Sequence, residues 1–127
     1  MKTSIATRLA ALAVGGLMLA GLGGCAHPIS VTADTAKITS TSTKKIDKKV
    51  GLQITDADKA KEVTTPGGGG DKVNYFPYRD LEAGLYTALG QSFASVSKVT
   101  GVADPKVQSE GLSLIFVPTI TTNSSSD

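Results

Sequence analysis

The chain has 127 residues, with 13 Lys+Arg against 11 Asp+Glu, a single Cys, a single His and no Trp. That length allows one domain, a lone cysteine excludes an intrachain disulfide, and a lone histidine leaves little for His-based catalysis or metal binding. Two of the 13 cations, Lys2 and Arg8, sit at the start where no acid stands, so the rest of the chain carries 11 of each sign. It lacks the basic excess by which nucleic-acid binders neutralise phosphate, and no nucleic-acid partner is expected.

Residues 1–8 form a short positive region, and residues 9–22 run through Leu, Ala, Val, Met and Gly without a charge. That apolar run matches the ~7–15 residues of a secretory signal and falls short of the ~20 needed to span a bilayer. It ends in Leu22-Gly23-Gly24-Cys25. This resembles the lipobox of bacterial lipoprotein signals, in which small residues admit the backbone to a peptidase and the Cys thiol receives a diacylglycerol. The resemblance implies removal of residues 1–24 by cleavage between Gly24 and Cys25, followed by lipidation of Cys25. Each buried methylene adds about 0.8 kcal/mol, so two or more acyl chains anchor stably where one does not. Ala26 stands where Asp would mark inner-membrane retention, so by the family's sorting rule the destination is the periplasmic face of the outer membrane. The competing reading is a small-x-small site, Gly24-Cys25-Ala26, for ordinary signal peptidase.

Residues 25–45 are polar, rich in Thr and Ser, with isolated Ile29, Val31 and Ile38. They read as a flexible tether that lifts a domain off the lipid. The run Lys44-Lys45-Ile46-Asp47-Lys48-Lys49 reads as a solvated edge, the alternative being contact with anionic headgroups. Residues 46–122 read as a small α+β domain, and residues 123–127 as a polar tail.

Within that domain Val50, Leu52 and Ile54 alternate with Gly51 and Gln53, the pattern of a half-buried strand at 49–55. Residues 56–72 read as a loop with a helical turn near 58–62. Its run Gly67, Gly68, Gly69 and Gly70 is followed by Asp71-Lys72-Val73. A phosphate-binding P-loop requires Gly-Lys-Ser/Thr there, so the run reads as a flexible loop. A helix is expected from about residue 78 to 97, because Leu81, Leu85, Leu89, Phe93 and Val96 share one face. Asp80 and Glu82 complement its positive end. A short helical piece is expected at 105–110. The apolar run 112–117, stopped by Pro118, reads as a strand covered on both faces. Strand, helix and strand in this order predict a βαβ-type unit, with a right-handed crossover if the strands are parallel. Two strands and one helix leave apolar surface open, so continuation of the polypeptide, or strands supplied by a partner, is expected.

Three segments carry a further resemblance. They are Lys61-Glu62-Val63-Thr64-Thr65-Pro66-Gly67-Gly68-Gly69-Gly70-Asp71-Lys72, Tyr75-Phe76-Pro77-Tyr78-Arg79-Asp80-Leu81-Glu82 and Phe116-Val117-Pro118-Thr119-Ile120. In these the chain is similar to small proteobacterial envelope lipoproteins of undefined function. The resemblance implies further strands and a final helix, and brings no catalytic residue.

The chemistry is sparse. His27 lies two residues beyond Cys25, in the tether, without a pocket to orient it. Asp56 and Asp58 lack the remaining oxygen ligands of a calcium loop, and Asp80 and Glu82 are explained as a helix start. Tyr75, Phe76 and Tyr78 read as a sheet-packing anchor, the alternative being an exposed recognition patch. No catalytic residue, metal site or cofactor is assigned. The expectation is therefore a non-enzymatic accessory or structural lipoprotein, held to the membrane by covalent lipid and acting on an envelope protein. The alternative is a ligand-binding or hydrolytic module using the loop from Gly67 to Gly70, recognisable by a concavity lined by Asp56, Asp71 or Arg79.

Overall fold

A computed structural model describes residues 26–65 and 72–123. The leader, the lipobox with Gly24 and Cys25, the loop from Gly67 to Gly70, and residues 124–127 lie outside the described residues. Among those described, no helix is long and apolar enough to cross a membrane. The architecture is α+β, built on two three-stranded sheets.

The strand expected at 49–55 is β2, Ile46–Gln53. It is the centre of a sheet ordered β5-β2-β6, with β5 (Phe93–Val99) and β6 (Leu114–Phe116) both parallel to it. Its burial departs from simple alternation, since Val50, Gly51 and Leu52 are all buried. Gly51 explains this: a Cβ there would meet Val99 Cγ2 at 3.1 Å and Leu112 Cδ1 at 3.2 Å. Both faces of the strand are covered at that point, as expected of a central parallel strand.

The helix expected at 78–97 is shorter. Here α2 spans Pro77–Ser92, after the four-residue α1, Asp56–Lys59. Pro77 opens α2 in the first turn, where its missing N–H costs nothing. The Phe93 N–H closes the helix on the Leu89 carbonyl, and the Lys45 ammonium caps the Gly90 carbonyl at 2.8 Å. Residues 93–97, expected to be helical, instead begin β5. Gly90 weakens the last turn, and Val96 and Val99 suit a strand. The segment then pairs with β2 from Lys49 opposite Ser95 to Gln53 opposite Val99. Tertiary pairing outweighs the continuing helical spacing.

The resulting βαβ unit is β2-α2-β5. The strand expected at 112–117 flanks β2 on the other side as β6 and is not covered on both faces. It is a sheet edge, with Leu114 47%, Phe116 36% and Val117 58% exposed. The expected helical piece is α3, Pro105–Ser109, capped by Asp104 and followed by Gly111 at φ 64°.

The second sheet is ordered β1-β4-β3, from Ala26–Pro28, Lys72–Tyr75 and Val63–Thr64. Its first strand comes from the stretch expected to be a free tether. Ala26 lies opposite Lys72 and Pro28 opposite Asn74, in parallel. The chain then follows α2 along its length. The Val31 N–H donates to Asp80 near the helix start, and Ala33 covers Gly84, where an added Cβ would come within 2.8 Å of the Ala33 Cβ. Farther on, the Ile38 carbonyl accepts from the Gln91 amide, and the Ser40 N–H donates to Gln91 Oε1 at 2.8 Å. Small residues meeting a helical glycine allow this close seating, so residues 26–40 belong to the fold. Residues 41–45 remain exposed.

Val50, Leu52, Ile54, Tyr78 and Val99 are the buried hydrophobic side chains among the described residues, and Leu52, Ile54 and Tyr78 form a cluster packed by Leu85, Leu89, Val96 and Ile120. Burying such side chains contributes roughly 1.5–3 kcal/mol each. Tyr78 is thus the anchor of its aromatic cluster, while Tyr75 and Phe76 are half-buried and the Arg79 guanidinium lies 4.2 Å from the Phe76 ring centre.

Candidate functional site

At the carboxyl ends of β2 and β5 the chain turns away in two directions. Beyond β2, Thr55 caps α1 through a reciprocal pair of bonds with Asp58. Beyond β5, the turn at 100–104 leads into α3. The divergence opens a concavity of about 510 Å³, lined by both turns and by Glu82 of α2. Crevices at the carboxyl ends of parallel strands are where open α/β sheets take ligands.

Its walls are charged. Glu82 stands between the ammonium groups of Lys59 at 3.1 Å and Lys98 at 3.2 Å. Burial pushes the Glu82 carboxyl upward, but hydrogen bonds and charge from the two lysines outweigh it and hold the group below its ordinary 4.5. Asp104 is held below 3.8, first by the Lys106 backbone N–H, then by Thr100, whose N–H and hydroxyl both donate to Oδ2. Lys106 donates to the Lys98 carbonyl at 3.1 Å. Asp56 and Thr55 complete the rim.

The four carboxylates singled out in the sequence separate into different roles. Asp56 lines the concavity, and Glu82 stands inside it. Asp58 turns to Lys61 at 2.9 Å, which with Thr55 holds its carboxyl below 3.8. Asp80 is buried and accepts from Val31 and from Arg79 Nε at 3.0 Å, a structural role. His27 lies in β1 opposite Val73. Lys59, Lys98 and the Asp104–Lys106 pair at the start of α3 were not singled out from the sequence, because they come from three separate elements and share no spacing.

The arrangement can bind charge more readily than move protons. Glu82 is fixed as a carboxylate, and Asp104 is committed to its own turn. Among the described residues, no group of three His, Cys, Asp or Glu side chains could hold a metal ion. A second, apolar hollow of about 180 Å³ lies between α2 and the β6 edge, lined by Leu52, Leu85, Leu89, Phe116, Val117 and Pro118. Comparison with family models, characterised proteins and solved structures gave no match to this chain.

Proposed function

We propose that the chain is an envelope lipoprotein, held by lipid on Cys25 at the periplasmic face of the outer membrane. There it serves as a non-enzymatic accessory that binds an envelope protein. The observation that carries this reading is the order of features along the chain. A positive start, an uncharged run at 9–22 and Leu22-Gly23-Gly24-Cys25 are followed at the next residue, Ala26, by a folded strand. A signal cleaved before Cys25 would thus release the whole described domain intact. The electrically neutral mature chain and the sparse chemistry of the cleft favour binding over catalysis.

Metabolic palmitate labelling tests the anchor. The wild-type chain should incorporate label, and Cys25→Ser should lose it while the precursor mass persists. A cleaved, unlabelled, soluble wild-type product would overturn the proposal. Crosslinking in intact cells followed by mass spectrometry should return one recurrent envelope partner.

The cleft supports a second reading, a small-ligand module. Its seat is the space between Lys59, Lys98 and Glu82, in place of the loop from Gly67 to Gly70. Amide and side-chain NMR shifts of these three residues, followed against anionic and zwitterionic small molecules, test it. Saturable shifts confined to the cleft support this reading, and unchanged spectra across the panel retire it.

A further inference from the structure

The start of β1 fixes how a lipid-held domain would meet its membrane. Consecutive Cα atoms lie about 3.8 Å apart, so Ala26 follows Cys25 with no spacer between them. Ala26 is paired across the sheet with Lys72, and neighbouring strands lie about 4.8 Å apart. The backbone of Lys72 is therefore held within roughly 10 Å of the backbone of residue 25, about one Debye length at 0.1 M salt. Lys72 is exposed, and its long stem lets the ammonium reach outward.

Composition points elsewhere, to the basic run Lys44-Lys45-Ile46-Asp47-Lys48-Lys49. The fold places that run by the far end of α2. The chain meets the helix at Asp80 through Val31 and leaves it at Gln91 through Ile38 and Ser40. At 1.5 Å per residue those contacts lie roughly 16 Å apart along the axis. Lys45 is then spent on the Gly90 carbonyl near the helix terminus.

We infer that the bilayer surface is met by the Ala26–Lys72 end of the β1-β4 sheet, with the Lys72 ammonium at the level of the lipid phosphates. The basic run at residues 44–49 stands clear of the lipid. The inference rests on the proposed attachment at Cys25.

The absence of Trp permits a direct test. Lys72→Trp and Lys44→Trp are expressed as full chains with the leader, extracted from membranes and returned to phosphatidylethanolamine–phosphatidylglycerol vesicles. Some vesicles carry a nitroxide on the lipid headgroup. Mass spectrometry of the N-terminal peptide first reads the lipid on Cys25. With lipid present, emission from position 72 should be lost on adding the nitroxide lipid and emission from position 44 should be unchanged. Equal quenching at both, or quenching at 44 alone, in a lipidated chain overturns the orientation while leaving the anchor intact. An unmodified Cys25 overturns the anchor and the inference together. Thr64→Trp, on β3 of the same sheet, replaces Lys72→Trp if that variant loses the wild-type circular dichroism.

Discussion

The Val31 backbone N–H donates to the buried Asp80 carboxylate at 3.1 Å, joining residues 49 apart in sequence. This contact seats the stretch after β1 on the first turn of α2. Removing one partner from a buried pair leaves the other unsatisfied, at a cost of roughly 1–3 kcal/mol. Asp80→Ala should therefore lower the urea midpoint by that equivalent. Amide exchange at Val31 should rise to the rate of a free segment. Asp80→Asn, which keeps an acceptor oxygen, should lose less.

Two glycines of α2 make opposite predictions. A Cβ at Gly84 would stand 2.8 Å from the Ala33 Cβ, whereas one at Gly90 meets Val96 Cγ1 at an ordinary 3.5 Å. Ala is favoured over Gly in a helix by about 1 kcal/mol. Gly90→Ala should keep that gain and raise the urea midpoint. At Gly84 the gain is opposed by overpacking, which costs typically about 1–3 kcal/mol. Gly84→Ala should lower the midpoint and speed exchange in residues 31–38.

Part of this architecture is legible in the sequence alone. Leu81, Leu85 and Leu89 marked α2, and Val50, Leu52 and Ile54 marked β2, because long amphipathic runs record which face is buried. The end of α2 was hidden, since Phe93 and Val96 continue the helical spacing although they lie in β5. β1, β3 and β4 have three, two and four residues, too few for a period to show. The exposure of β6 depends on its place at the sheet edge, which an apolar run cannot report. In the cleft, Glu82 was visible as a helix-start carboxylate. Its clamping by Lys59 and Lys98 depends on three elements converging.

Glu82 also predicts how stability responds to acid. Its carboxyl is held below 4.5 in the folded chain, and Asp58 and Asp104 are held below 3.8. The folded state binds these protons less readily than the unfolded state. The corresponding stability is fully present above the ordinary carboxylate values and is lost as pH falls through the lowered ones. The thermal midpoint should therefore hold level from neutral pH down toward 5 and then decline. Glu82→Gln should start from a lower midpoint at neutral pH and decline less steeply. Since Lys59 and Lys98 are partly solvent-exposed, high salt should narrow the gap between the two proteins. Parallel acid profiles at both salt concentrations would remove Glu82 from the account.

Tyr78 links the core to the segment beyond β6. Its ring is buried beside Leu52 and Ile54, and its hydroxyl oxygen accepts the Ile120 N–H at 3.0 Å. Ile120 itself packs against this cluster, although Val117 and Thr119 beside it are exposed. This hydrogen bond and the packing of Ile120 help to hold a stretch with no regular structure. Tyr78→Phe keeps the ring and deletes the acceptor, so it should cost about 0.5–1.5 kcal/mol, the ordinary net worth of one hydrogen bond. The loss should fall locally: Ile120 should exchange its amide faster while the β2 amides keep their protection. Tyr78→Ala also removes the ring, and should cost about 3–5 kcal/mol, as truncation of a buried aromatic does. If Tyr78→Phe slowed or left unchanged the exchange at Ile120, the hydroxyl would have no part in holding this segment, and apolar packing alone would account for it.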